Sequence, residues 1–192
     1  MSQSIEIEYK TLLTKNEFSQ ICQFYHLTKQ DFTRQSNTYF DTPDGQLKQH
    51  KMGLRIRQLA THAEITLKTP LPEGLLETSQ TLSLASAQQL IEQQVIPADG
   101  PVATELKKHH IAIEQLKVIA SLTTKRKEIV LTEGLLAIDE SWYGASHDYE
   151  LELEVPDATK GKLAFDDLLI KLNITYKKAA NKIVRAIQEK KI

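Results

Sequence analysis

The segment YELELEV at residues 149–155 alternates without a break. Glu150, Glu152 and Glu154 fall on one face of an extended strand, and Leu151, Leu153 and Val155 on the other. The same period of two recurs along the chain. Glu6, Glu8 and Lys10 alternate with Ile5, Ile7 and Tyr9; Arg55 and Arg57 with Leu54 and Ile56; Glu64, Thr66 and Lys68 with Ile65 and Leu67. Thr124, Arg126 and Glu128 share a phase in TTKRKEI, and Asp139 is in phase with Ala137. On a helix these residues would spread around the whole circumference, so the pattern commits the chain to sheet. It leaves open which face looks inward.

Charges facing solvent around an apolar core are the ordinary meaning of such alternation. Two features point the other way. The charges are sorted by sign from strand to strand, whereas a surface serving solubility intersperses them. Three carboxylates in line at 150, 152 and 154 also repel one another unless cations compensate them. A closed barrel with its polar faces inward would supply those cations and leave the apolar faces for helices to cover.

Helices are present to do so. TKNE at 14–17 has capping-box spacing, and Phe18, Ile21, Cys22 and Tyr25 follow at helical intervals, predicting a helix that ends near His26. SNTYFDTPDGQL reads as a strand entering a Thr-Pro-Asp-Gly turn, GLRIRQL and AEITLKT as a hairpin, and LLETSQTLSL as a further strand. SAQQLIEQQVI and GPVATELKKHHI switch to helical spacing. LKVIASLTTKRKEIVL, GLLAIDESWY and HDYELELEV are strands again, and TKGKLAFDDLLIKL and KKAANKIVRAIQEKKI close the chain as helices. With no flexible linker and no internal repeat, residues 1–192 read as a single α+β domain. Its expected form is an eight-stranded antiparallel closed β-barrel, a tunnel with a polar interior flanked by helices.

Composition narrows the partners. Asp and Glu number 25 against 24 Lys and Arg, a net charge of −1, so general electrostatics would not hold nucleic acid or anionic lipid. No apolar run approaches the ~20 residues of a membrane span, and the N-terminus lacks the pattern of a signal peptide. Cys22 is the one cysteine, so an intrachain disulfide is impossible; beside Ile21 and Phe24 it reads as a packing residue. These features predict a cytoplasmic protein, monomeric or homodimeric, with neither nucleic acid nor membrane as partner.

An inward-facing reading gathers two clusters. Glu6, Glu8, Asp139, Glu150 and Glu152 suit a hard divalent cation held through oxygen. Lys10, Arg55, Arg57, Lys68 and Arg126 suit phosphate oxygens, with Lys125 or Lys127 replacing Arg126 if that strand runs in the opposite phase. A metal-chelated polyphosphate satisfies both. His109 and His110 lack a third ligand at a recognisable metal spacing and read as solvated helix residues. His26, His50, His62 and His147 are scattered, and Trp142 and Tyr143 read as packing at the rim.

Glu6-x-Glu8-x-Lys10 resembles the ExExK signature of the CYTH superfamily, the triphosphate tunnel metalloenzymes. The resemblance continues through TYFDTPDGQL, GLRIR, ITLK, GLLET, TTKR, AID and ELELE to NKIVRAI, which carries Lys182 and Arg185. It implies an eight-stranded antiparallel tunnel and metal-dependent hydrolysis of a linear triphosphate: inorganic tripolyphosphate, thiamine triphosphate or a nucleoside triphosphate. It further implies that Glu6, Glu8, Glu150 and Glu152 hold Mg2+ or Mn2+, with Glu154 in the same phase and Asp139 as a metal or water partner. Lys10, Arg55, Arg57, Lys68, Arg126 and Lys182 would bind the triphosphate of a small-molecule substrate. Lys10, Arg55, Arg57 and Asp139 are the expected catalytic residues, and Glu77 is a subsidiary candidate. A class IV adenylate cyclase, making cyclic AMP and pyrophosphate from ATP, and a non-catalytic triphosphate- or polyphosphate-binding module are the alternatives.

Overall fold

The computed structural model describes residues 2–189. Eight strands form a closed barrel: β1 (Ser2–Leu13), β2 (Thr33–Asp41), β3 (Gly53–Gln58), β4 (Ala63–Pro70), β5 (Leu75–Leu82), β6 (Lys117–Val130), β7 (Leu135–Tyr143) and β8 (Ser146–Val155). Around the barrel they run β1-β5-β4-β3-β2-β6-β7-β8, each antiparallel to its neighbours, and β1 closes on β8. Register carries the charges past one another. Lys10 lies opposite Glu152 and Glu8 opposite Glu154. Gly53 lies opposite Lys68, which in turn lies opposite Glu77, and Arg126 is opposite Asp139.

Two apolar cores, both outside the barrel wall, decide the orientation. On one side Leu47 of α2 (Gln46–Gln49), Ala87 of α3 (Leu84–Gln93), and Val102 and Leu106 of α4 (Gly100–Lys108) pack on Phe40, Leu54, Ile56, Ile65 and Leu67. On the other, Ile21 of α1 (Lys15–Phe24) and Phe165, Leu168 and Leu169 of α5 (Ala158–Lys171) pack on Leu136, Ile138, Leu151, Leu153 and Val155. Burying a Leu, Ile or Phe in such a core contributes about 1.5–3 kcal/mol. Turning the greasy faces inward would strip both helical layers of their surface. α1 carries the expected capping box, with Glu17 N donating to Thr14 Oγ1 at 3.2 Å and Thr14 N to Glu17 Oε2 at 2.6 Å.

A third, smaller apolar cluster lies at one end of the barrel. There Ala186 of α6 (Lys182–Glu189) meets Tyr39, Ala120, Leu122 and Tyr143, so α6 closes that end and brings Lys182 and Arg185 to the inner wall.

Three expectations need correction. α2 follows the Thr-Pro-Asp-Gly turn because the Asp41 carboxylate accepts from Leu47 N at 2.8 Å and Lys48 N at 3.2 Å, while Thr42 Oγ1 accepts from Gln46 N at 2.9 Å. The last helix, expected over 177–192, starts at Lys182. Lys177 O instead accepts from Leu12 N at 3.1 Å, and Lys177 N donates to Thr11 Oγ1 at 2.8 Å, so β1 takes the groups a helical turn would use. Residues 190–192 of that expectation lie outside the described residues. Finally, a short internal repeat does exist: Leu-Pro-Glu-Gly-Leu-Leu at 71–76 and Leu-Thr-Glu-Gly-Leu-Leu at 131–136 are the tips of hairpins β4–β5 and β6–β7. Each tip lies against an acidic strand. A Cβ at Gly74 would stand 2.4 Å from the carbonyl oxygen of Glu6, and one at Gly134 would stand 2.0 Å from that of Glu154, so only glycine allows the approach.

Candidate functional site

The barrel encloses a cavity of about 440 Å³ whose walls carry most of the charged candidates. Glu6, Glu8, Lys10, Arg55, Arg57, Lys68, Arg126, Glu152, Glu154 and Lys182 line it, as does Glu77. Asp139 and Glu150 are not on the cavity surface. Both are 0% exposed, buried behind cations.

The acidic side is an ionic network in which Asp148 Oδ1, Glu150 Oε1 and Arg185 Nε are left without hydrogen-bond partners among the described residues. Lys182 Nζ lies 2.9 Å from Asp139 Oδ2 and 3.2 Å from Glu150 Oε2, and also pairs with Glu152. Arg126 grips Asp139 with two donors, Nε to Oδ1 at 2.8 Å and Nη2 to Oδ2 at 2.6 Å, and shares Nη2 with Glu152. Arg185 bridges Glu150 and Asp148, and its guanidinium lies 6.0 Å from the Tyr143 ring. Burial alone would raise the Asp139 and Glu152 carboxyls, but Arg126 and Lys182 hold both below their ordinary values. Lys182 shows the converse: burial opposes its charge, yet Asp139, Glu152 and Glu150 push its pKa well up.

Toward the other end the carboxylates outnumber their cations. Lys68 Nζ is 2.9 Å from Glu77 Oε1 and also pairs with Glu6, while Lys10 Nζ is 3.0 Å from Glu8 Oε1. Burial, then repulsion from Glu152, raises the Glu8 carboxyl despite Lys10. Glu154, at the exposed end of the series, is raised by burial and by Glu6 and Glu77.

The opposite side is built differently. Arg55 and Arg57 project from β3 into the cavity, and among the described residues neither has a carboxylate oxygen within 4.0 Å. Arg57 Nε donates to the neutral Asn37 Oδ1 at 3.1 Å, and the buried Arg55 Nε has no hydrogen-bond partner among the described residues. Burial, then repulsion by Arg55 and Arg126, pulls the Arg57 pKa down to about 9, which leaves it charged at neutral pH.

Residues outside this arrangement take ordinary roles. Lys125 sits over the Trp142 ring at 5.2 Å, and Trp142 stacks on His147 with ring centroids 4.9 Å apart. Arg126, rather than Lys125 or Lys127, is therefore the basic residue that β6 turns to the cavity, in phase with Thr124 and Glu128. Cys22 is half-buried on α1, and burial raises its thiol pKa. His109 lies 3.5 Å from Glu105 on its own helix. Sequence reasoning missed Gln35, Asn37 and Tyr39, which line the cavity from β2. Their period-two spacing is visible once that strand is extended back to Thr33.

Among the described residues, no three Asp, Glu, His or Cys side chains gather into a group that could hold a metal by protein atoms alone. The donor chemistry still fits a hard divalent cation. Glu8 and Glu152 are cavity carboxylates with oxygen donors, and burial and the Glu152 charge raise the Glu8 carboxyl despite its lysine neighbours. Mg2+ characteristically takes one or two carboxylates and completes its shell with water and substrate phosphate oxygens.

The sequence profile of the CYTH domain matches residues 4–187. The chain belongs to the CYTH domain family. A Bacillus subtilis (strain 168) protein described as "Putative triphosphatase YjbK" is 42% identical over 191 residues, which cover 100% of this chain and 98% of that one. The crystal structure of a Bacillus halodurans protein described as a "putative adenylate cyclase" superposes with a TM-score of 0.91 at 40% identity, covering 96% of this chain and 98% of that one. HpAC1 from Hippeastrum shares the fold at 22% identity, with a TM-score of 0.71 over 96% of each chain. Among the described residues no helix is long and apolar enough to cross a membrane.

Proposed function

We propose that this chain, as one tunnel domain, is a metal-dependent triphosphatase that hydrolyses the terminal phosphoanhydride bond of a linear triphosphate lying in the barrel. One observation carries the reading. Two half-buried arginines without carboxylate partners within 4.0 Å face an acid-rich wall across one cavity, so the missing ligand is an anion that also recruits a cation. Naming of the Bacillus subtilis relative as a triphosphatase supports the same class.

Roles follow from position. Arg55 and Arg57, with Lys10, Lys68, Arg126 and Lys182, bind the phosphates. Arg55 and Arg57 have donors left over for this, since a planar guanidinium offers five and matches phosphate oxygens bidentately. Glu8 and Glu152 hold Mg2+ or Mn2+, with Glu6 and Glu154 at the outer margin. Asp139 and Glu150 act from behind, orienting Lys182, Arg126 and Arg185. A bound divalent cation supplies charge neutralisation at the phosphoryl oxygens and a more acidic water. The attacking water oxygen bonds to the terminal phosphorus as the bridging P–O bond breaks; the diphosphate, pyrophosphate in the case of tripolyphosphate, leaves with the electron pair, and the water's proton passes to the released phosphates. The arginines and lysines offset charge on the transferring group and on that leaving group. No covalent nucleophile is required.

The test is phosphate release from tripolyphosphate, thiamine triphosphate and nucleoside triphosphates, each with Mg2+ or Mn2+. Metal-dependent release from at least one substrate is expected. Cyclic AMP and pyrophosphate from ATP would instead make the protein a cyclase, the activity in the Bacillus halodurans relative's description. Tight binding with no turnover of any substrate would reduce it to a sensor.

A further inference from the structure

Arg57 and Arg126 both reach the cavity from adjacent regions of the wall, yet their Nε atoms have opposite partners. Arg126 Nε donates to the Asp139 carboxylate at 2.8 Å. Arg57 Nε donates to the amide oxygen of Asn37 at 3.1 Å. Asn37 is 2% exposed, sits directly across from Arg57 in the β2–β3 register, and lines the same cavity. Gln35 and Thr124, cross-strand partners in the same inward phase, continue a neutral polar surface beside it.

A neutral acceptor does something a carboxylate cannot. It satisfies Nε, which fixes the plane of the guanidinium and leaves its terminal NH2 groups for the cavity, without cancelling the charge. A carboxylate in the same place would neutralise Arg57 before any ligand arrived, as Asp139 does for Arg126. An apolar residue would leave a second buried guanidinium nitrogen unpartnered beside Arg55 Nε.

We infer that Asn37 is a positioning residue for phosphate binding: it aims Arg57 at the substrate while keeping the guanidinium uncompensated. The inference rests on the triphosphatase reading of the same cavity. It explains why a cavity arginine is left beside an amide rather than one of the chain's many carboxylates.

The substitution Asn37→Asp is nearly isosteric and gives a test in which stability and affinity move oppositely. Binding of inorganic tripolyphosphate is measured by calorimetry without metal, together with the thermal midpoint of the free protein. Asn37→Asp is expected to weaken tripolyphosphate binding by about tenfold or more, since opposite charge is worth at least one decade at a desolvated anion site. The same change should raise the midpoint by about 2–4 °C, because a buried unpaired cation gains a partner. Asn37→Ala should weaken binding by a smaller factor and lower the midpoint. With substrate and metal, Asn37→Asp should raise KM more than it lowers kcat. Parallel losses of midpoint and affinity in Asn37→Asp, or unchanged affinity, would overturn the inference. Wild-type protein that neither binds tripolyphosphate without metal nor binds or hydrolyses it with Mg2+ or Mn2+ would instead overturn the triphosphatase reading itself, so the two failures are distinguishable.

Discussion

The two sides of the tunnel treat buried charge in opposite ways. Around β7 and β8, Asp139, Glu150 and Glu152 are paired with Arg126, Lys182 and Arg185, which hold Asp139 and Glu152 below their ordinary pKa values while burial raises Glu150. On β3, Arg55 and Arg57 are half-buried in the cavity wall, and neither is ion-paired to a carboxylate: Arg57 Nε bonds to the Asn37 amide and Arg55 Nε is unpartnered among the described residues. A paired network is compensated largely by the protein itself. Unmatched cations raise the energy of the empty protein, and a polyanion lowers it again. The difference separates charge already compensated by the protein from charge left for a ligand to compensate.

Substitutions on each side should therefore fail differently. The largest effect is expected at the unmatched cations. Arg57→Ala, and likewise Arg55→Ala, should lower kcat/KM for the preferred triphosphate by about 10²–10³, the loss usual for one charge-stabilising donor. The thermal midpoint should hold or rise. A large fall in midpoint would show that the arginines are structural and erase the contrast. Next comes Glu152→Gln, which leaves Lys182 and Arg126 short of a counter-charge and should remove about 3–5 kcal/mol of stability, read from urea unfolding.

Acid should act on the same side. Asp139 and Glu152 have pKa values depressed on folding, below the ordinary 3.8 and 4.5. The stability they contribute is thus present above those ordinary values and lost as pH falls through the depressed ones. Urea midpoints followed from pH 7 downward should fall in that acid window in wild type and fall less in Glu152→Gln.

The smallest effect sharpens the contrast within the acidic strands. Glu8 is raised, not depressed, because burial and the Glu152 charge both work against its ionised form. Glu8→Gln should leave the midpoint unchanged or raise it by about 2–4 °C, while weakening the Mn2+ dependence of turnover. A marked loss of stability would place Glu8 with Glu152 in the matched network.

Much of the fold is legible locally. Strand positions follow from period two and from the Thr-Pro-Asp-Gly and Glu-Gly turns, and α1 from its Thr14–Glu17 box. What escaped depends on distant groups. Residues 175–181 have helical composition but bond to β1 through Lys177, and α2 exists because Asp41 supplies its N-terminal acceptor. At the site, the alternation marks every charged residue but not its pairing. Nothing in the sequence tells Asp139, sealed behind Lys182 and Arg126, from Glu8 at the cavity surface. Asn37 carries no charge to draw notice, although it governs how Arg57 is presented.

The sequence by itself determined that each strand has one charged and one apolar face, because backbone geometry places alternate side chains on opposite sides whatever surrounds them. Only the tertiary structure decided that the charged faces look inward. That choice follows from closing β1 on β8 and docking five helices on the outer wall, which buries hydrocarbon outside the ring and leaves the ions in the bore. It also decided which ions are matched, since a match requires two side chains from separate strands, or from a strand and α6, to meet within a few ångströms.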